Sequence, residues 1–408
     1  MNKQEAPAPA ILVAPCNRRG RGPISLLALL LLSCGMARSA GQDHSNAKAA
    51  PAGQEQPEYV SNEAASQDAT GPIGDEDEEV GGRLYVTQSE RREAGLKHPI
   101  TPWLTVSFLL ELEGLVEDFA LEDGLGDERF TESGANLQLG LEAAPLDFAK
   151  AELVLEYDTQ TGKLFTEEAF LSFEAGPWEL EAGKLYTPFG VYISHFAIGP
   201  ILELGETRAN AFTLAFGPRD SLDLKLNAYR GSARKSSRDE RDWDWAASLE
   251  VWPGSGLQLG LSYQSDLADA DSRLLSDQGD RYGRRVGAAS GYLVWSGEEL
   301  EVSLEALGAL RDFRELDGDR NRPFAWNLEL TRFVDEVFEW SLRVEGSDEV
   351  EDEPELQFGP SLTWRLHRTS ALTLEYLRGR FRSGMAENEE ELSYSHVDRF
   401  AAQFSIVF

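Results

Sequence analysis

The feature that most constrains this chain is a two-residue alternation of apolar and polar side chains, which begins near Trp103 and continues to the last residue. Leu137-Gln-Leu-Gly-Leu-Glu142, Leu222-Asp-Leu-Lys-Leu-Asn227, Leu257-Gln-Leu-Gly-Leu-Ser262, Leu300-Glu-Val-Ser-Leu-Glu305 and Trp326-Asn-Leu-Glu-Leu-Thr331 all carry it. Period two places one residue set on each face of a strand. Sixteen such segments are predicted, near 103–112, 134–142, 148–157, 166–174, 177–186, 209–216, 220–230, 243–252, 256–265, 284–295, 298–310, 323–332, 336–346, 355–366, 370–380 and 398–408. Most run ~9–11 residues, the length a tilted strand needs to cross a bilayer.

The links between them fall into two kinds. Ala175-Gly176-Pro177, Gly217-Pro218-Arg219-Asp220, Pro253-Gly254-Ser255-Gly256 and Ser296-Gly297-Glu298 are short and rich in turn formers. Longer polar links lie between them at 113–133, 187–208, 231–242, 266–283, 311–322, 347–354 and 381–397. Alternating short and long links, with an even strand number, predict an all-β fold. Its form is a transmembrane antiparallel β-barrel with both ends of the chain on one side. Past residue 40 no apolar run approaches the ~18 residues of a spanning helix. A barrel needs none, because closed sheets also satisfy their backbone in lipid. Its mean hydropathy can look soluble, as here at −0.36, since only alternate residues meet lipid. Propellers, solenoids and sandwiches compete, but no blade period or short fixed repeat is present and a sandwich rarely needs so many strands.

Charge then divides the two faces. Aromatic residues sit near strand ends, at Trp103, Tyr157, Trp178, Trp245, Trp252, Tyr263, Phe324, Trp340, Trp364 and Tyr376, where interfacial girdles belong. The opposite parity carries the expected pore lining of Glu152, Glu156, Glu168, Glu179, Glu181, Asp223, Glu301, Glu305, Glu329, Arg343, Arg365, Glu375 and Arg399. Glu142, Glu250, Glu339, Glu345, Lys150, Lys225 and Arg285 share that parity. So many charges on one face are costly in a dry interior and predict a watery lumen. The excess of carboxylates predicts a modest preference for cations. The last strand ends Phe404-Ser-Ile-Val-Phe408, and a terminal aromatic on an apolar face resembles the assembly signal of bacterial outer-membrane barrels.

The first 102 residues differ in kind. Arg18, Arg19 and Arg21, the apolar stretch Ile24–Leu32 and small residues at Ala37, Ser39 and Ala40 predict an export signal over 1–40. Residues 41–102 are predicted as a linker extension, low in aromatic and β-branched clusters as far as residue 82. Both cysteines, Cys16 and Cys34, fall in the signal, and Leu31-Leu32-Ser33-Cys34 loosely matches a lipidation box. The whole chain carries −33. Removing 1–40, with five basic and one acidic residue, leaves 33 basic against 70 acidic, or −37. Nucleic acid is excluded as a partner, because it needs a basic footprint.

Residues 183–208, in the fifth-to-sixth connection, are too apolar for an exposed loop and predict a segment packed against the inner wall. Its expected constriction residues are Tyr186, Thr187, Pro188, Phe189, Tyr192, Glu203, Glu206 and Arg208. An additional short strand or external cap over 191–204 is the competing expectation. Gly183-Lys-Leu-Tyr-Thr-Pro-Phe-Gly190, followed by Leu202-Glu-Leu-Gly-Glu-Thr207, resembles the LbtU-type siderophore porin family. That resemblance implies an outer-membrane barrel taking up iron–siderophore complexes. It assigns no substrate-binding residue, and the low-complexity stretch at 41–82 departs from the helical segment that many members carry.

Catalytic and metal chemistry has no clear carrier. His44, His98, His195, His367 and His396 are scattered without metal spacing, and His195 and His396 read as solvated loop histidines. No Gly-x-Ser-x-Gly, phosphate-cradling loop or patterned calcium loop is present. The expectation is therefore a porin-type channel with no catalytic residue, metal or cofactor. Its partners would be outer-membrane lipid and lipopolysaccharide, the barrel-assembly machinery, a small-molecule or iron–siderophore solute and further copies of itself. A closed-lumen barrel enzyme or adhesin is the alternative.

Overall fold

The computed structural model describes residues 98–407, apart from 218–220, 238–239, 255, 317, 319, 336 and 389. The export signal expected at 1–40, nearly all of the extension expected at 41–102, and Phe408 lie outside the described residues. Sixteen long strands follow one another: β1 (Leu104–Leu121), β2 (Asp127–Leu146), β3 (Ala149–Asp158), β4 (Lys163–Ala175), β5 (Trp178–Tyr186), β6 (Arg208–Phe216), β7 (Leu222–Arg230) and β8 (Trp243–Gly254). The second half comprises β9 (Leu257–Gln264), β10 (Ala288–Ser296), β11 (Leu300–Ala309), β12 (Phe324–Phe333), β13 (Phe338–Asp348), β14 (Leu356–His367), β15 (Ser370–Arg380) and β16 (Tyr394–Val407).

Each strand pairs antiparallel with the next, and β16 pairs back onto β1 from Tyr394–Leu121 to Val407–Leu109. The sheet is therefore a closed barrel with no free edge, the condition for strands in hydrocarbon. A short strand, His98–Thr101, lies against the start of β1, beside the stretch that β16 leaves unpaired. All sixteen predicted segments coincide with these strands.

One link is corrected. Residues 113–133, expected as a long loop, are mostly strand: β1 and β2 stay paired as far as Ala120–Asp127. Polar cross-strand pairs hold that part of the ribbon, as where Arg129 donates to Asp118 at 2.5 and 2.7 Å. Only 122–126 remains as the loop L1. On the same end lie L2 (159–162), L3 (187–207), L4 (231–242), L5 (265–287), L6 (310–323), L7 (349–355) and L8 (381–393). The opposite end carries only short turns.

Alternation sorts the faces as sequence predicts. Leu304, Leu328, Leu342 and Leu362 are exposed outward, while their inward neighbours Ser303, Asn327, Ser341 and Ser361 are buried. Exposed aromatics mark the strand ends, with Trp178, Trp295 and Trp364 toward the turns and Trp245, Phe324 and Tyr376 toward the loops. The largest apolar cluster lies at the loop end rather than mid-barrel. There Phe189, Ile201, Leu202 and Leu204 of L3 pack with Leu267, Leu275 and Val286 of L5, Phe313 of L6, Val350 of L7 and Leu307 of the wall.

Candidate functional site: a loop seated on lumen carboxylates

L3 leaves β5 at Tyr186, enters the lumen and returns to β6 at Arg208. A buried irregular segment must find partners for its backbone N–H groups, since no helix or sheet ladder supplies them. Inward carboxylates must find donors. In this barrel each solves the other's problem. Glu305 accepts from the amides of Val191 and Tyr192 at 2.9 and 2.8 Å. Glu375 accepts from Ala197 and Ile198 at 2.6 and 3.1 Å. Glu329 accepts from the amide of His195 at 3.0 Å, Glu345 from Ile201 at 2.8 Å and Ser262 from Gly190 at 2.9 Å.

Two cations complete the seat. The guanidinium of Arg343 donates to Glu329 at 2.8 Å, to Glu345 at 3.2 Å and to the carbonyl of Ile198 at 2.9 Å. It also reaches the Ser194 hydroxyl and lies 4.2 Å from the centre of the Phe196 ring. The His195 imidazole fits between Glu339, 2.8 Å from Nδ1, and Glu301, 2.9 Å from Nε2. Burial alone would lower its pKa, but the hydrogen bonds to Glu301 and Glu339 outweigh it and push it up to about 10. At neutral pH both of its nitrogens therefore donate.

The turn that starts L3 needs glycine. Gly190 has φ +75°, and a Cβ there would meet the Tyr192 ring at 2.6 Å. The return is the short 3-10 turn Ile201–Gly205 rather than an extra strand. L5 clasps it, with Asp271 N–H on the Glu206 carbonyl at 2.7 Å and the Ser272 hydroxyl on the Leu204 carbonyl at 2.7 Å.

The expected constriction residues therefore separate. Phe189 is buried in the apolar cluster, Thr187 is buried beside Gln264, and Tyr192 is held through its backbone. Pro188 and Glu206 are half-buried and Glu203 is exposed. Tyr186 and Arg208 meet on Glu167, a residue sequence reasoning missed. It is the extra residue of a bulge in β4, where Val154 opposes Glu168 and Leu155 opposes Thr166. β4 and β5 stop pairing above Ala169–Lys184, which leaves room for this contact. Arg208 also lies 3.5 Å from Asp271 and 5.7 Å from the Phe165 ring centre.

The expected pore lining divides too, and here expectation is corrected. Glu301, Glu305, Glu329, Arg343 and Glu375 face the lumen but are at most 4 % exposed, lying under L3 rather than in water. A lumen charge needs no water when loop amides satisfy it. His195, expected in solvent, is corrected for the same reason and is buried. Glu152, Glu156, Glu168, Glu179, Glu181, Asp223, Arg365 and Arg399 are only partly buried. Glu152 lies 3.4 Å from Lys150, Asp223 3.3 Å from Lys225 and Arg399 2.8 Å from Glu117. Glu156 accepts from Asn136 and Gln138 at 3.0 and 2.9 Å. Arg365 lines a cavity below the L3 tip with His195, Glu339 and Gln403.

Larger cavities lie beside the start of L3 and at the turn end. A cavity of about 210 Å³ runs between the start of L3 and the β5–β10 wall, lined by Glu181, Tyr186, Lys225, Glu250 and Tyr292. Another of about 270 Å³ at the turn end is lined by Glu174, Glu179, Asp223 and the same Lys225.

No protein-family model matches the chain, and no curated relative does. Solved structures do. An anion-selective porin from Comamonas acidovorans superposes with a TM-score of 0.55 at 10% identity, covering 75% of this chain and 100% of that one. The fold is the porin barrel. OmpF of Salmonella typhi, in complex with daunomycin, gives 0.52 at 11%, over 74% and 98% of the two chains. The outer membrane channel DcaP of Acinetobacter baumannii gives 0.51 at 12%, over 76% and 99%. At such identities the likeness is one of fold.

Proposed function

We propose that this chain is an outer-membrane channel that passes small solutes by diffusion, with a modest preference for cations. The observation that carries the reading is the one-sided seating of L3. It covers the carboxylates of β11–β15 and leaves cavities along β5–β10 and at the turn end, lined by Glu174, Glu179, Glu181, Asp223 and Glu250 against Lys225. Carboxylates lining a water-filled path raise the local concentration of cations. Segment 1–40 would export the chain, and the outward apolar band with its aromatic ends would meet lipid.

The finer reading of the cargo, iron–siderophore complexes, rests on the resemblance of 183–190 and 202–207 to the siderophore porins. Tyr186, Thr187, Pro188 and Gly190 of this stretch border the cavity beside β5–β10, which supports a part for it in choosing the cargo. Purified protein in planar bilayers should give stable conductance, with a reversal potential of cation-selective sign in a salt gradient. Proteoliposomes should admit small sugars, and the cargo reading requires that they also admit a ferric siderophore. Absence of conductance across independent preparations would overturn the channel reading, and entry of sugars alone would overturn the cargo.

A further inference from the structure

At the loop end of β8 three carboxylates converge from separate segments. Asp244 is the second residue of β8, while Asp266 and Asp269 stand at the start of L5. All three are buried, and one oxygen of each lies within 4.8 Å of the others. Their partners account for only part of the charge. Arg285 pairs with Asp244 at 2.7 Å and also lies 3.6 Å from Asp242, and the Ser265 hydroxyl donates to Asp244 at 3.0 Å. Oδ1 of Asp266 accepts from the amides of Ala268 and Val286 at 3.2 and 3.3 Å, and Oδ1 of Asp269 from Ala233 at 2.9 Å.

The second oxygens of Asp266 and Asp269 are buried and make no hydrogen bond among the described residues. A further group points the same way. The hydroxyl of Tyr229, a fully buried residue near Ser265 and the three aspartates, makes no hydrogen bond of normal geometry among the described residues. Three buried carboxylates with one guanidinium leave negative charge uncompensated, a costly state unless a cation or protons join them.

We propose that Asp244, Asp266 and Asp269 hold a calcium ion, with the Tyr229 hydroxyl at its edge. The donors are all oxygen, which selects a hard cation. Calcium takes about six to eight such oxygens in an adaptable geometry, whereas magnesium demands a near-ideal octahedron and keeps several of its waters. The ion would staple L4, L5 and β8 together. The Asp269–Ala233 bond joins L5 to L4, and Leu267 beside the site packs into the cluster that covers L3.

Terbium luminescence, excited through the neighbouring aromatics, tests the site on the full chain in detergent after chelation. One terbium per chain should bind, displaced by calcium at concentrations at least ten-fold below those magnesium requires. The double variant Asp266→Asn/Asp269→Asn should weaken binding more than ten-fold, whereas Asp118→Asn on the outer part of β1 should leave it unchanged. Calcium should raise the parent's melting temperature and leave the double variant's unmoved. In chelator the double variant should melt no lower than the parent, because the repulsion is gone. Absence of a saturable site in the parent, or a double variant that binds as well as the parent, would overturn the proposal. Should the double variant fail to fold, Asp269→Asn, which keeps its bond to Ala233, stands in for it.

Discussion

Nε2 of His195 lies 2.9 Å from Oε1 of Glu301, tying the tip of L3 to the second residue of β11. β11 starts at the turn end of the barrel, whereas L3 leaves the wall at the loop end. The contact therefore fixes how deeply the loop descends. It also couples that depth to pH. The His195 pKa stands at about 10 in the fold against 6.5 for a free imidazole. A raised pKa gives stability that is complete below pH 6.5 and lost as pH rises through about 10. Single-channel recordings should show one steady conductance level at pH 7. A noisier and larger one should appear near pH 10.5, and restoring pH 7 should reverse it. A trace unchanged across that range would count against the anchor.

The two groups of lumen carboxylates should separate in a mutational experiment. Glu179→Gln with Glu181→Gln and Asp223→Asn removes negative charge beside the cavities, and reversal potentials should shift toward anions with little change in melting temperature. Glu305→Gln should do the opposite. One carboxylate oxygen becomes an amide that cannot accept, so the amide of Val191 or Tyr192 loses its partner, at a cost of about 1–3 kcal/mol. Selectivity should stay where it was.

Arg343→Met keeps much of the side-chain volume but leaves Glu329 and Glu345 without their buried cation. Breaking a buried pair from one side costs about 3–5 kcal/mol. L3 should become sensitive to proteolysis while the barrel still migrates as a folded species on unheated gels. Intact L3 in the folded variant would contradict the role given to Arg343.

Gly183→Ala tests the wall where β4 and β5 begin to part. Gly183 has φ +152°, and a Cβ would meet the Ala169 carbonyl oxygen at 2.2 Å. Backbone in that region costs a non-glycine residue about 1–3 kcal/mol. Heat-modifiability gels should show unfolding at a lower temperature than in the parent.

Much of this was legible in the sequence. Alternation located the sixteen long strands, because a lipid-facing residue must be apolar and its neighbour need not be, but not the short strand His98–Thr101. It could not locate L1, since the acid-rich stretch 113–133 reads as loop while its polar side chains, such as Asp118 and Arg129, in fact pair across a ribbon. Parity placed Glu305 and Glu329 on the lumen face correctly. What parity cannot say is what covers that face. The available signal was in L3, where the apolar Phe189, Ile201 and Leu202 accompany a run of amides with no strand to bond. A loop of that kind needs acceptors, and the nearest supply was the carboxylate rows of β11 to β15. His195 was misread because its partners lie more than a hundred residues away in sequence.

The seating of L3 has a mechanical side. The loop is rooted in β5 and β6 and fastened to β9, β11, β12, β13 and β15, so it crosses the bore as a strut. A hollow cylinder under lateral pressure from the surrounding membrane yields first by flattening into an ellipse. A tie between facing walls opposes that deformation, and its stiffness depends on glutamate side chains of fixed length.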